Sequence, residues 1–259
     1  MLTTPPLAIS LAGLSGGTLP AALRDRIRWV TRSSRWIVLD GTDPDTRARN
    51  LDRSARRDLA ATLRREELRL AGIDLFLPER HLAEPAHVDR ASAALGNALE
   101  LASDLASLVG DGSRPVVTFV SPEAPLVGVI DELCGRAERV GATLADGAVD
   151  GPRGGSAVGA SLDPSALLLG GRDPAVRLSE LGARCVQARL ADAGSSGPVY
   201  VGSGSGRLDA GSYAAAVVTS GGALASAPVV LDGRGLRDAD KAVTAGTAAW
   251  AGAFGDLAG

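Results

Sequence analysis

Histidine, lysine, cysteine and aromatic side chains are all scarce in this chain, and each shortage narrows what the protein can do. His81 and His87 are the only histidines, so few bases exist to activate a serine, and no G-x-S-x-G strand-to-helix elbow is recognised. Lys241 is the only lysine, and the GSGSG run has no lysine after it, which excludes a P-loop. No G-x-G-x-x-G follows the first apolar run, which weighs against a dinucleotide-binding sheet. Aromatics are 3% of residues, so a stacked carbohydrate site is not obvious. Cys134 and Cys185 lie far apart in apolar-patterned segments without CxxC spacing. That predicts buried free thiols and fits a reducing cytoplasm. No apolar stretch approaches the roughly 18–20 residues of a membrane helix, so no membrane partner is expected. The N-terminal MLTTPPLAISLAG has no basic region and reads as a first strand, not as a signal peptide. A net charge of -3 and a pI near 5.5 give no electrostatic reason to expect nucleic acid.

What is present is alternation. Strand-like runs are read at Leu7–Leu11, Trp36–Asp40, Leu70–Leu77, Val116–Val120, Ala142–Ala145, Val158–Leu162, Cys185–Leu190 and Pro228–Leu231. Continuous apolar runs such as WIVLD suit parallel strands buried on both faces. Between them come helical patterns: Leu19–Ser33, a helix capped by Asp52, Pro85–Leu108, Pro125–Val140, Pro174–Leu181, one beginning at Ser212 and one at Ala239–Phe254. The Gly-rich segment DGAVDGPRGGSA has no helical pattern, so the helix between the fifth and sixth strands is predicted to be missing or shortened. Eight βα units in 259 residues predict one α/β domain, 1–259, closed as a (β/α)8 TIM barrel.

The stretch from Val158 to Asp192, VGASLDPSALLLGGRDPAVRLSELGARCVQARLAD, is the richest in chemistry. Asp163 follows one strand and Arg189 lies near the end of the next, and the carboxyl ends of barrel strands are where such folds place their sites. This stretch resembles the xylose isomerase-like barrels, the sugar phosphate isomerases/epimerases. Asp163-Pro164, Asp173-Pro174, Leu181-Gly182 and Asp192 match a DP…DPxxxLxxLG…VxxxHxxD pattern. Gly204–Asp209 (GSGRLD) resembles the family's GEGxxD loop, and Pro228–Asp232 (PVVLD) resembles its final strand. The resemblance implies a divalent metal at the barrel mouth, held by a Glu after the fourth or fifth strand, an Asp, a His and a final Glu. Asp163 supplies the Asp. Arg189 stands where the His is implied, Asp232 where the final Glu is, Asp146 near the first Glu and Ser205 at the GEG glutamate.

Arginine offers a metal no lone pair and stays charged at every relevant pH. A divalent metal is therefore disfavoured, no cofactor is expected, and Arg189 is predicted to take the metal's place among Asp163, Asp232 and Asp146, or else to point to solvent at the rim. Asp163 and Asp232 are the candidate catalytic carboxylates; His81, Arg189, Asp192 and Arg207 are the candidate substrate contacts. Arg49, Arg53, Asp40 and Glu123 follow strands and are secondary candidates for the mouth. The resemblance implies a sugar phosphate isomerase/epimerase-like protein taking a small polar or phosphorylated ligand. The alternative is a non-catalytic descendant that binds a ligand or a protein. A missing helix would bare barrel wall, which a second copy could cover as a homodimer.

Overall fold

Strand alternation decides which side chains enter the middle of this molecule. The computed structural model describes residues 4–110, 112–153, 155 and 157–257; Met1–Thr3 of the first segment and Gly154 and Ser156 of the Gly-rich one lie outside the described residues. Eight parallel strands close into a barrel: β1 (Leu7–Ser10), β2 (Trp36–Asp40), β3 (Arg69–Asp74), β4 (Val116–Phe119), β5 (Thr143–Asp146), β6 (Gly159–Leu162), β7 (Cys185–Leu190) and β8 (Val229–Leu231). β1 pairs with both β2 and β8, which completes the circle. A two-residue antiparallel ribbon, Asp192–Ala193 with Pro198–Val199, follows β7.

Among the described residues eight α-helices surround the strands: α1 (Leu23–Val30), α2 (Arg53–Arg65), α3 (Pro85–Val109), α4 (Val129–Val140), α5 (Pro164–Leu169), α6 (Pro174–Leu181), α7 (Ala210–Thr219) and α8 (Ala239–Leu257). Their starts are chemically marked. Asp52, Asp163, Asp173 and Asp209 each accept a backbone N–H from the first turn of α2, α5, α6 and α7. Leu59, Ala60 and Leu63 of α2 are buried while Arg53, Arg57, Arg64 and Arg65 are exposed, the amphipathic pattern of a barrel's outer ring. The short α5 was not anticipated. Six residues, PSALLL, are too few to display a helical period, and the cap at Asp163 makes the helix possible.

No helix separates β5 from β6 among the described residues, as the Gly-rich composition predicts. Among the described residues the barrel wall there is not bare, contrary to expectation. Leu144, Ala160 and Leu162 are all buried, and Arg172 and Arg177 tie the loop down at Asp150.

Two apolar groups form. A large shell fills the space between strands and helices, with Ile9, Ile37, Ile73, Leu99 and Trp250 among its members. A small plug of Ala8, Val38, Ala71 and Val230, with Trp36 against it, lies apart from that shell. Two residues further along, on the same face as Ala8 and Val230, come Ser10 on β1 and Asp232 just beyond β8. The barrel is thus apolar towards its N-terminal end and polar towards its C-terminal end. Gly72 lets β3 approach β4 closely: a Cβ there would lie 1.9 Å from the Val116 carbonyl oxygen. Both cysteines are buried and unpaired, and burial pushes the Cys185 thiol up to about 12. Among the described residues no helix is long and apolar enough to cross a membrane.

Candidate functional site

Inward-facing positions on five strands bring Ser10, Asp74, Thr118, Ser161, Gln187 and Arg189 together as buried polar groups, with Asp232 just past β8. Arg189 is 1% exposed, so its charge requires partners. Its Nη1 donates to Asp232 Oδ2 at 2.7 Å, its Nε to Ser161 Oγ at 3.2 Å, and its Nη2 to Asp74 Oδ1. Ser10 Oγ donates to the other Asp74 oxygen at 2.6 Å. Gln187 Oε1 accepts from Thr118 and Ser161, which fixes the floor. Tyr213 of α7 holds the Arg189 carbonyl from outside at 2.8 Å.

Above this layer sits a second guanidinium. Arg234 donates through Nε to both oxygens of Asp232, at 3.0 and 2.8 Å, and through Nη2 to Asp163 Oδ2 at 2.7 Å. Its plane lies over the Phe76 ring, 4.0 Å from the centroid, with Arg189 at 5.3 Å. Burial works to push the Asp232 carboxyl up, but Arg189 and Arg234 together outweigh it and hold the group at about 2. Burial likewise opposes the Arg189 charge, and Asp74 and Asp232 overcome it. The result is a chain of alternating sign, Asp74–Arg189–Asp232–Arg234–Asp163, running from the barrel centre to its mouth.

The mouth itself is a cavity of about 290 Å³ bordered by Asp163, Asp192, Asp232 and Arg234. Of the residues singled out by sequence, Asp163, Asp192 and Asp232 border it and Arg189 lies beneath. The others lie elsewhere. His81 borders a separate cavity on the helix side of the barrel wall, together with Arg49. Arg207 borders a third hollow with Asp209 and Tyr213. Its guanidinium donates to the Ala193 and Leu168 carbonyls.

Asp146 is not beside Arg189. Its carboxylate accepts from the backbone N–H groups of Ser121, Ala148 and Arg153 and from the Ser121 hydroxyl, so it organises the loops after β4 and β5. Asp40 accepts from Thr42, and Arg53 and Glu123 are exposed. Asp192 Oδ1 accepts from Ala193, Arg207 and Leu208, pinning the GSGRLD loop. Gly206 permits this, because a Cβ there would meet Asp192 Oδ2 at 1.9 Å. Residues 13–17, GLSGG, do satisfy the bare G-x-S-x-G spacing. Yet Ser15 lies in a loop well before α1 and donates to the Leu236 carbonyl, so it forms no elbow.

Asp74, Arg234 and Phe76 escaped the sequence reading. A carboxylate inside the apolar run LAGIDLFL was the available signal for Asp74. For Arg234 there was only its position two residues after Asp232.

Solved structures share this fold. L-ribulose 3-epimerase superposes with a TM-score of 0.69 at 16% identity, covering 98% of this chain and 97% of that one. The chain has the fold of the xylose isomerase-like barrels. D-psicose 3-epimerase in the presence of D-fructose gives 0.66 at 12% identity, over 98% and 100% of the two chains. A xylose isomerase-like TIM barrel/4-hydroxyphenylpyruvate dioxygenase fusion protein gives 0.62 at 15% identity, over 95% of this chain and 41% of that one. No family model matches the sequence, and no curated protein does.

The divalent metal that the resemblance implies does not fit these residues. Among the described residues no three His, Cys, Asp or Glu side chains converge on a point that could hold an ion. Asp163 and Asp232 already serve Arg234 and Arg189, and guanidinium has no lone pair to give.

Proposed function

We propose that this barrel binds a small sugar or sugar phosphate at its mouth without metal, and that binding rather than turnover is its task. The likeness to sugar epimerases supports the ligand class, and the buried Arg189 between Asp74 and Asp232 carries the rest. Epimerisation next to a carbonyl needs a base matched to neutral pH and an electrophile that touches the carbonyl oxygen. Asp232, held near 2, is a poor proton acceptor, and Arg189 at 1% exposure cannot reach a substrate. What can touch a ligand is Arg234, with a side chain 31% exposed, and Asp163 at 17%. A sugar hydroxyl can accept from the one and donate to the other.

Charge narrows the choice further. Three carboxylates (Asp74, Asp163, Asp232) face two guanidiniums (Arg189, Arg234), a balance of one negative charge, which suits a neutral sugar better than its phosphate.

The test is a thermal-shift and calorimetric screen of ketoses and their phosphates, with and without Mn²⁺ or Zn²⁺, alongside metal analysis of the purified protein. Saturable binding of a sugar that survives chelator is expected, with no deuterium exchanged from solvent into the sugar. One tightly held divalent ion per chain with metal-dependent exchange would overturn the reading.

A further inference from the structure

A cavity of about 390 Å³ lies outside the barrel wall, and none of the mouth residues borders it. It is framed by the loop after β2, the end of β3 and the N-terminal half of α3. Asp74 turns into the barrel towards Arg189, so by strand alternation Ile73 and Leu75 turn outward into this cavity. Ala91, Ala98 and Leu101 of α3 complete an apolar wall, and all five of these side chains are buried. Small alanines on α3 leave the space that larger residues would fill.

The rim has a different character. Arg47, Arg49, Arg90 and His81 border the cavity, and no Asp or Glu does. Arg47 donates to the Thr42 carbonyl. Arg49 and Arg90 are exposed and have no hydrogen-bond or ion-pair partner among the described residues. Arg26, Arg56 and Arg136 pair with Asp43, Asp104 and Glu100, whereas Arg53, Arg57 and Arg65 of α2, like Arg49 and Arg90, are exposed without an acid partner among the described residues; what sets this rim apart is that its cations border an apolar cavity that no acid borders. Burial, and after it the nearby His87, Arg80 and Arg90 charges, lower His81 from the ordinary histidine value against the opposing pull of Glu84. An apolar wall under a rim of unmatched cations is complementary to a ligand with an apolar body and an anionic head.

We propose that this cavity is a second binding site, independent of the mouth, for a small amphipathic carboxylate. The apolar body would lie against Ile73, Leu75 and Leu101, and the carboxylate would meet Arg49 and Arg90. Its size falls in the range of about 300–1,000 Å³ usual for small-molecule pockets.

Calorimetry on the full chain with octanoate, 1-octanol and inorganic phosphate tests this. Octanoate is expected to bind at least tenfold more tightly than octanol, and phosphate alone not to saturate. The Arg49→Ala/Arg90→Ala variant, which alters only exposed side chains, is expected to bring octanoate down to the level of octanol. A bulky Ala94→Trp at the half-buried wall should abolish binding of both, with folding checked by its thermal transition. Equal affinity for octanoate and octanol, saturable phosphate binding, or full octanoate affinity in the double arginine variant would each overturn the proposal.

Discussion

Arg189 cannot shed its charge, so the energetics of the barrel interior depend on what surrounds it. Replacing it with Met leaves Asp74 and Asp232 buried without their shared counter-ion. We expect a loss of about 3–5 kcal/mol in urea unfolding. Adding Asp74→Asn and Asp232→Asn should recover much of that loss, because the penalty comes from unmatched charge and not from the missing volume. Asp232 has a complementary signature in acid. Its folded value is lowered to about 2 from an ordinary 3.8, so its contribution is fully present above about pH 4. That contribution, roughly 2 kcal/mol, fades as pH falls through 2. Urea midpoints of wild type and Asp232→Asn, measured from pH 6 to pH 2, should converge at the acid end. Sequence made Arg189 and Asp232 visible, through the substitution of guanidinium for imidazole and the carboxylate closing the last strand. It left Asp74 hidden, because a residue 115 positions away reveals its partner only once the barrel closes.

Elements were the most legible level. Trp36–Asp40, Cys185–Leu190 and Pro174–Leu181 begin and end where their apolar runs and caps say they should. Helix α1 is shorter than its pattern, since Thr18, Leu19 and Pro20 precede it in irregular chain tied to Asp240 at Thr18. Asp173→Ala should cost about 1 kcal/mol through loss of the cap on α6, read from the thermal midpoint. Asp163 does two jobs that one pair of variants can separate. Asn in its place can still cap α5 while removing the charge that Arg234 meets; Ala removes both. If the mouth binds sugar through this pair, Asp163→Asn should weaken binding with little loss of stability. At Gly206, alanine should destabilise the loop by driving a Cβ into Asp192, visible as faster proteolysis there.

For the whole molecule, closure is the governing fact. The alternation of strands and helices predicts the barrel, and the order of pairing around the ring agrees. The lateral cavity was not foreseen. It arises from alanines of α3 opposite β3, a contact between elements with no signal in either segment alone. The contribution of His81 to that rim, and not to the mouth, follows from the short 3₁₀ turn at Glu79–Leu82 that carries it.

The bond from Arg189 to Asp74 has one more implication, for time. It joins the third strand to the seventh, 115 positions apart, so closing it carries a large loop-entropy cost and we expect it to form late, as a latch. Loosening it should leave the refolding limb of a chevron plot nearly unchanged and steepen escape from the native state, giving a protein that folds on schedule but does not stay folded as long.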